Sequence, residues 1–157
     1  MTTAPAFVRA SNPVSRRLLR LGTPMGPNVL LTVRGRTSGL PRSAAVAVVE
    51  SDGRRYVIGA YGDVQWTRNL RAAGEADIRV RGRDEHVVAR QLDQAEAVDF
   101  YARILPAYIG RLPWIGRAFG RMLFTAAAPE IRDDPTRAAE TRPVFELRSK
   151  GEQPIAS

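Results

Sequence analysis

The chain contains no cysteine. Disulfides, thiolate nucleophiles and cysteine-ligated metals are excluded together. Lysine is almost as scarce: of 24 basic residues only Lys150 is lysine, and the rest are arginine. A P-loop needs a Gly-Lys pair, and there is none. Schiff-base chemistry needs a buried lysine, and Lys150 stands in a polar C-terminal stretch. Histidine is limited to His86. Metal hydrolases usually draw on two or three histidines, so no metal site is expected. His86 lies in Arg83-Asp-Glu-His-Val87 and reads as a strand-edge or turn histidine. A Ser-His-Asp triad through it finds no Gly-x-Ser-x-Gly elbow. No Gly-x-Gly-x-x-Gly follows a strand, which argues against a Rossmann site. No apolar run is long enough to span a membrane. The N-terminus lacks an apolar h-region and a small-residue cleavage site, so a cytoplasmic protein is expected.

What is present is positive charge. The formal net charge is +8. Codon bias accounts for much of the arginine excess, but the field still favours an anionic partner. A phosphorylated cofactor, nucleic acid and an anionic membrane face are the three candidates. No nucleic-acid-binding motif is recognised, so no specific nucleic-acid partner is expected. Residues 1–157 read as one domain, with residues 1–13 and 149–157 as loosely ordered ends.

The periodicity gives an α+β pattern. Val14-Ser-Arg-Arg-Leu-Leu-Arg-Leu21 suits a short amphipathic helix, either docked on the domain or lying on an anionic membrane. Six strands are expected, near residues 28–33, 43–49, 55–61, 76–81, 86–92 and 142–148. Asp52-Gly53 signals one hairpin and Gly82-Arg83-Asp84 another. Gln65–Ala73 reads as a helix closed by Gly74. Asp93 is placed to cap a helix through Leu105, with Glu96 completing a capping box. Val98, Tyr101, Ala102 and Leu105 would form its inner stripe. Pro106 and Pro113 bound a second stretch, followed by an aromatic amphipathic segment over 114–124, and Asp133-Asp134-Pro135 marks a loop. Antiparallel hairpins of this kind often remove their edges by closing into a barrel.

The densest chemistry lies between the first two strands, in Arg34-Gly-Arg-Thr-Ser-Gly-Leu-Pro-Arg42. Glycine lets backbone approach a ligand, successive turn N–H groups can form an anion-binding concavity, and arginine adds a fork that matches phosphate or carboxylate. The turn is therefore either an anion grip or a solvated hairpin with ordinary surface arginines.

Leu30-Leu-Thr-Val-Arg-Gly-Arg-Thr-Ser-Gly-Leu-Pro-Arg42, then Ala60-Tyr-Gly-Asp63, then Trp66-Thr-Arg-Asn-Leu70, resembles the deazaflavin-dependent nitroreductase family. These are coenzyme F420-dependent oxidoreductases with a split β-barrel, similar to FMN-binding barrels. The likeness covers about residues 28–92, and over 93–125 it extends only to character. It implies that Arg36, Thr37, Ser38, Gly39 and Arg42 bind the phosphate and oligoglutamate tail. It implies that Ser43, Ala44, Ala45 and Val46 lie along the deazaflavin with backbone amides. Gly59, Ala60, Tyr61 and Gly62, with Gln65, Trp66, Thr67, Arg68 and Asn69, would close the other side. Thr37 stands where many relatives carry lysine. The loop from Tyr61 to Trp66 is shorter than in nitroimidazole-reducing members, and Ala47 replaces a tyrosine found in some.

The resemblance implies hydride transfer from reduced F420 to an electrophilic acceptor: a quinone, an enone or a nitro compound. No side chain is assigned as an obligate catalyst. Tyr61, Tyr101, Tyr108 and Trp114 are the candidates for meeting the substrate, the tyrosines as orienting or proton-donating groups and Trp114 within a Pro-bounded lid over 106–124. A homodimer through the aromatic segment competes with that lid. Rival readings are an FMN- or haem-binding barrel, a non-catalytic lipid or fatty-acid binder, and a non-specific nucleic-acid binder.

Overall fold

The computed structural model describes residues 28–114, 117–118 and 129–150 of the chain. The helix expected at 14–21, on which the membrane reading rests, lies outside these residues. So do Phe119, Phe124 and most of the aromatic segment.

Among the described residues six strands close into an antiparallel barrel, ordered β1-β2-β3-β6-β5-β4. They are β1 (Asn28–Arg34), β2 (Pro41–Ser51), β3 (Arg54–Ile58), β4 (Glu75–Val80), β5 (Arg83–Gln91) and β6 (Val144–Ser149). The α+β split-barrel expectation is met. Strand alternation explains the closure. Val29, Leu31 and Val33 of β1, Val46 and Val48 of β2, and Ala76 and Ile78 of β4 point inward with Val87, Phe145 and Leu147.

The helix α1 (Gln65–Ala73) falls where the sequence places it. Gly74 ends it with φ 69°, its N–H bonded to the Leu70 carbonyl at 2.8 Å. A side chain is strained at that φ, which is why glycine closes the helix. Leu70 is fully buried within the barrel cluster, and Trp66 packs against the same cluster. The α1 helix therefore plugs one barrel end.

A second core lies outside the barrel wall. Val49, Tyr56, Ile58 and Val144 present their outer faces to Ala97, Phe100, Tyr101 and Leu105, with Ile131 and Ala138 beside them. The helical path that covers this wall consists of α2 (Gln94–Asp99), a π-helical turn at Phe100–Ile104 and α3 (Leu105–Arg111). The Asp93 and Glu96 capping box is present at its start.

Several boundaries differ from the expectation. Pro106 does not start a separate element. The wide turn before it, in which the Leu105 N–H reaches back to the Phe100 carbonyl, makes room for a proline ring that would crowd a regular helix. The inner stripe is Ala97, Phe100, Tyr101 and Leu105, while Ala102 is exposed. Asp133-Asp134-Pro135 is not a plain loop: Asp134 caps α5 (Pro135–Thr141) by accepting the Arg137 N–H at 3.0 Å, after the single turn α4 (Glu130–Asp133). β3 stops at Ile58 rather than Tyr61: the next ladder position sets Gly59 against Pro143, whose carbonyl accepts the Gly59 N–H at 2.8 Å but which has no N–H to extend the pairing. Ser149, placed in the tail from sequence, pairs with Val87 as the last residue of β6.

Candidate functional site

The short β3 splits the sheet. β2 pairs with β1 from Pro41 to Ala47, but with β3 only from Val48 to Ser51. Among the described residues no strand therefore lies against the outer edge of β2 from Pro41 to Ala47. A strand edge with no strand against it can present backbone polar groups to a ligand. Ser43, Ala44 and Ala45 are half-buried there, and Val46 puts its side chain into the barrel core. Thr32 and Ser43 share a hydroxyl contact of 2.8 Å across the β1–β2 pair.

The arginine turn stands at the same barrel end. The Gly35 N–H reaches the Leu40 carbonyl and the Gly39 N–H the Gly35 carbonyl, both at 2.9 Å. Arg36 lies across α1. Its backbone N–H and its Nη1 both donate to Oδ1 of Asn69, at 3.2 and 2.8 Å, and Nη1 also reaches Oε1 of Gln65 at 2.9 Å. These acceptors are neutral amides, so the guanidinium is fixed in place without a counter-ion. Thr37, Ser38 and Gly39 are exposed at the tip, where Ser38 Oγ accepts the Leu40 N–H at 3.2 Å. Arg34 and Arg42 are exposed at the strand ends, and among the described residues neither forms an ion pair. Three fixed or free cations thus border the split edge.

The third wall is the Gly59–Gly62 loop. Gly59 is fixed by close approach: a Cβ there would stand 2.8 Å from the Gly62 carbonyl and 2.9 Å from Thr67 Cγ2. The Gly62 N–H closes the loop onto the Gly59 carbonyl at 2.8 Å. Tyr61 is half-buried, and burial raises its phenol above the ordinary value. Among the described residues no hydrogen-bond partner meets its hydroxyl. Asp63 anchors the start of α1, accepting Thr67 Oγ1 at 2.9 Å and Arg71 Nη2 at 3.0 Å. Arg68 reaches Asp63 at 3.4 Å. Thr67 is fully buried, so it supports the loop from behind. Trp66 is half-buried, its ring 6.4 Å from that of Phe145.

The structure thus gathers all three motifs singled out in the sequence: Arg36 joins the turn to Gln65 and Asn69 of α1, and Asp63 joins the loop to Thr67 and Arg71. It does not bring in every substrate candidate. Tyr101 is corrected to a core residue: it is 1% exposed and donates its hydroxyl to the Arg142 carbonyl at 2.9 Å. Packing on Phe100 leaves it no face for a substrate. Trp114 is 71% exposed. Tyr108 is half-buried beside β2, its hydroxyl 3.4 Å from the Val48 carbonyl. Burial and then the nearby Glu50 charge raise its phenol. The 106–111 part of the expected lid is the tail of a continuous helical path packed on β2, which ends where Leu112 turns extended. The sequence reading passed over Arg142, whose side chain is buried against this site. Its one signal is a charged residue directly before the apolar run of the last strand.

Comparison with known sequences settles the family. The pattern of the F420H(2)-dependent quinone reductase family matches residues 6–117. The chain belongs to the F420H(2)-dependent quinone reductase family. Membership makes it an oxidoreductase whose cofactor is F420H2. No curated protein matches it. Among solved structures, an F420-H2 dependent reductase (FDR-A) is 21% identical, covering 78% of this chain and 94% of that one, with a TM-score of 0.47. HutZ, a haem storage protein from Vibrio cholerae, is 14% identical over 88% of this chain and 90% of that one, also at 0.47. A putative pyridoxamine 5'-phosphate oxidase from Listeria innocua is 8% identical over 87% and 94%, at 0.48.

His86 offers no catalytic base in this F420H2 family member. Its Nδ1 lies 2.7 Å from Asp77 and its Nε2 3.2 Å from Glu75, on the outer face of β4 and β5. Among the described residues no group of side chains is arranged to hold a metal ion, and no helix is long and apolar enough to cross a membrane.

Proposed function

We propose that F420H2 binds between the Arg34–Arg42 turn, the split edge of β2 and the Gly59–Gly62 loop, where a small quinone is reduced. The observation that carries this reading is the stretch of β2 that β3 does not cover, beside arginines that form no ion pair among the described residues. A flat heterocycle with its own N–H and C=O groups suits a strand edge with no strand against it, and a phosphate and carboxylate tail suits the arginine turn.

When bound, the reduced deazaflavin supplies a hydride, which carries two electrons to the acceptor. Reduction of a quinone to a hydroquinone then needs one further proton. Tyr61 holds that proton at its phenolic oxygen. Burial keeps the group neutral at pH 7, and its hydroxyl is free to point at an acceptor oxygen. Arg36, with Gln65 and Asn69, fixes the turn on α1. Arg42 and Arg34 hold the anionic tail. Tyr108 borders the acceptor side of β2. A quinone is preferred to a bulky nitro compound because Tyr61 is placed to protonate a developing phenolate. A histidine-ligated haem is disfavoured, since both ring nitrogens of His86, the one histidine, face carboxylates. A homodimer is part of this reading, and sedimentation tests it.

The test is an F420 fluorescence titration followed by turnover with a naphthoquinone. Saturable binding, with Tyr61→Phe lowering kcat at least about tenfold and leaving F420 affinity unchanged, supports the reading. No F420 binding by the folded protein overturns it. Unchanged turnover in Tyr61→Phe removes the proton assignment.

A further inference from the structure

Arg142 is a charged residue inside the outer core. Its side chain is 9% exposed. It stands after α5, its backbone N–H bonded to the Ala138 carbonyl at 2.8 Å. Its own carbonyl accepts the buried Tyr101 hydroxyl. The guanidinium then reaches in two directions. Nη1 donates to the Ala60 carbonyl, and Nη2 donates to Oε2 of Glu130 at 3.0 Å. Among the described residues its buried Nε has no acceptor. A buried guanidinium with an unused donor is destabilising by itself. Packing does not require a charge at this position. A demand for a carbonyl grip at Ala60 does.

Ala60 is the residue before Tyr61 and the centre of the Gly59–Gly62 loop. The loop has few other anchors: the Gly59 N–H on Pro143, the Gly62 N–H folded back on Gly59, and the Val64 N–H on the Gly62 carbonyl. All are backbone bonds and none involves the Ala60 carbonyl. The guanidinium does so from the core side. Glu130 holds it there: the carboxyl sits below the ordinary glutamate range because of its own backbone N–H and then Arg142. The contact chain runs from Glu130 through Arg142 and the Ala60 carbonyl to Tyr61.

We propose that Arg142, held by Glu130, is a positioning residue that sets the Gly59–Gly62 loop and with it the Tyr61 phenol. The inference rests on the site reading above. It makes the segment 129–142, remote in sequence from the three motifs, a determinant of substrate placement.

The experiment compares Arg142→Met, Arg142→Lys and Glu130→Gln with the wild-type chain. Amide hydrogen exchange reads the loop directly, and steady-state kinetics with F420H2 and a naphthoquinone read its consequence. Expected in Arg142→Met is faster exchange at Gly62 by about tenfold or more, with the β1 and β4 amides unchanged. Its kcat with the quinone falls about tenfold or more while KM rises less. Lysine, which keeps one donor, restores part of both. Glu130→Gln, on a half-exposed side chain that leaves the fold intact, shows the same changes at smaller size and decides the matter if Arg142→Met does not fold. Unchanged Gly62 exchange in the folded variants overturns the proposal, as does an unchanged kcat with a loosened loop. A uniform loss of protection across the barrel overturns it in favour of a purely structural arginine. A wild-type chain that binds no F420 overturns the site reading and the proposal with it, whereas binding with unaffected variants overturns the Arg142 role alone.

Discussion

Arg36 and Asn69 meet at a single oxygen. Oδ1 of Asn69 accepts both the Arg36 backbone N–H, at 3.2 Å, and its Nη1, at 2.8 Å. The contact latches the arginine turn to α1 and leaves the other guanidinium nitrogens for a ligand. Asn69 is 6% exposed, so the latch lies largely out of water, where such bonds are stronger.

The latch separates two arginine roles. Arg42→Ala should weaken F420 binding by one charge-assisted contact, about 1.5–3 kcal/mol or roughly ten- to a hundredfold. That loss should shrink for a cofactor lacking its glutamate tail. Arg36→Ala should weaken both cofactor forms, because the turn itself comes loose. Asn69→Ala keeps the Arg36 charge and should reproduce the second pattern. Fluorescence titration with the two cofactor forms checks this; equal behaviour of Arg36→Ala and Arg42→Ala would show a single role.

Gly59 should not tolerate a methyl group. Its Cβ would press on the Gly62 carbonyl, Thr67 Cγ2 and Pro143 Cδ at 2.8, 2.9 and 3.1 Å. Two of these are backbone or ring atoms that cannot swing away. Gly59→Ala should cost about 1–3 kcal/mol in urea denaturation. Gly110, with nothing within 4 Å of its Cβ and an exposed helical setting, is the control. Gly110→Ala should stabilise by about 0.5–1 kcal/mol.

Acid sensitivity should come in part from Glu85. Arg55 holds this carboxylate at 2.7 and 2.9 Å and Ser149 adds a hydroxyl, lowering its pKa to about 2. An unfolded glutamate titrates near about 4.3. Between those values the unfolded chain binds the proton that the folded one refuses. The stabilisation is therefore complete above the unfolded value and is lost as pH falls toward 2. Denaturation midpoints measured from pH 5 to 2.5 should drop more steeply for the wild type than for Glu85→Gln.

His86 works in the opposite sense. Asp77 first, and then Glu75, raise its pKa above 6.5. Its contribution is complete below 6.5 and is lost as pH rises through the raised folded value. With one histidine in the chain, an NMR titration reads it directly. The midpoint should exceed 6.5 and move back toward it in Asp77→Asn. A midpoint at or below 6.5 in the wild type would contradict the two carboxylate contacts.

Much of this protein was legible from local chemistry. Alternation placed the strands, Asp93 with Glu96 marked one helix start, and Gly74 marked the end of α1. Asp134-Pro135 carried the same kind of signal for α5, an N-cap followed by proline, and was read only as a loop. The turn from Arg34 to Arg42 stood out as a concentration of glycine and arginine, residue types that are informative without their surroundings, and was open to two readings, an anion grip or a solvated hairpin.

Sequence by itself determined which segments are strands and which turn holds the charge, since pleat alternation and turn chemistry act over a few residues. Only tertiary structure decided the rest. The end of β3 depends on Pro143, a residue more than 80 positions away, standing opposite Gly59 with no N–H to give. The burial of Tyr101 depends on the outer wall of the barrel, and the grip of Arg142 on Ala60 on two segments that meet only once that barrel has closed. Periodicity reports which face of an element is apolar. It does not report which distant backbone carbonyl a buried arginine will find.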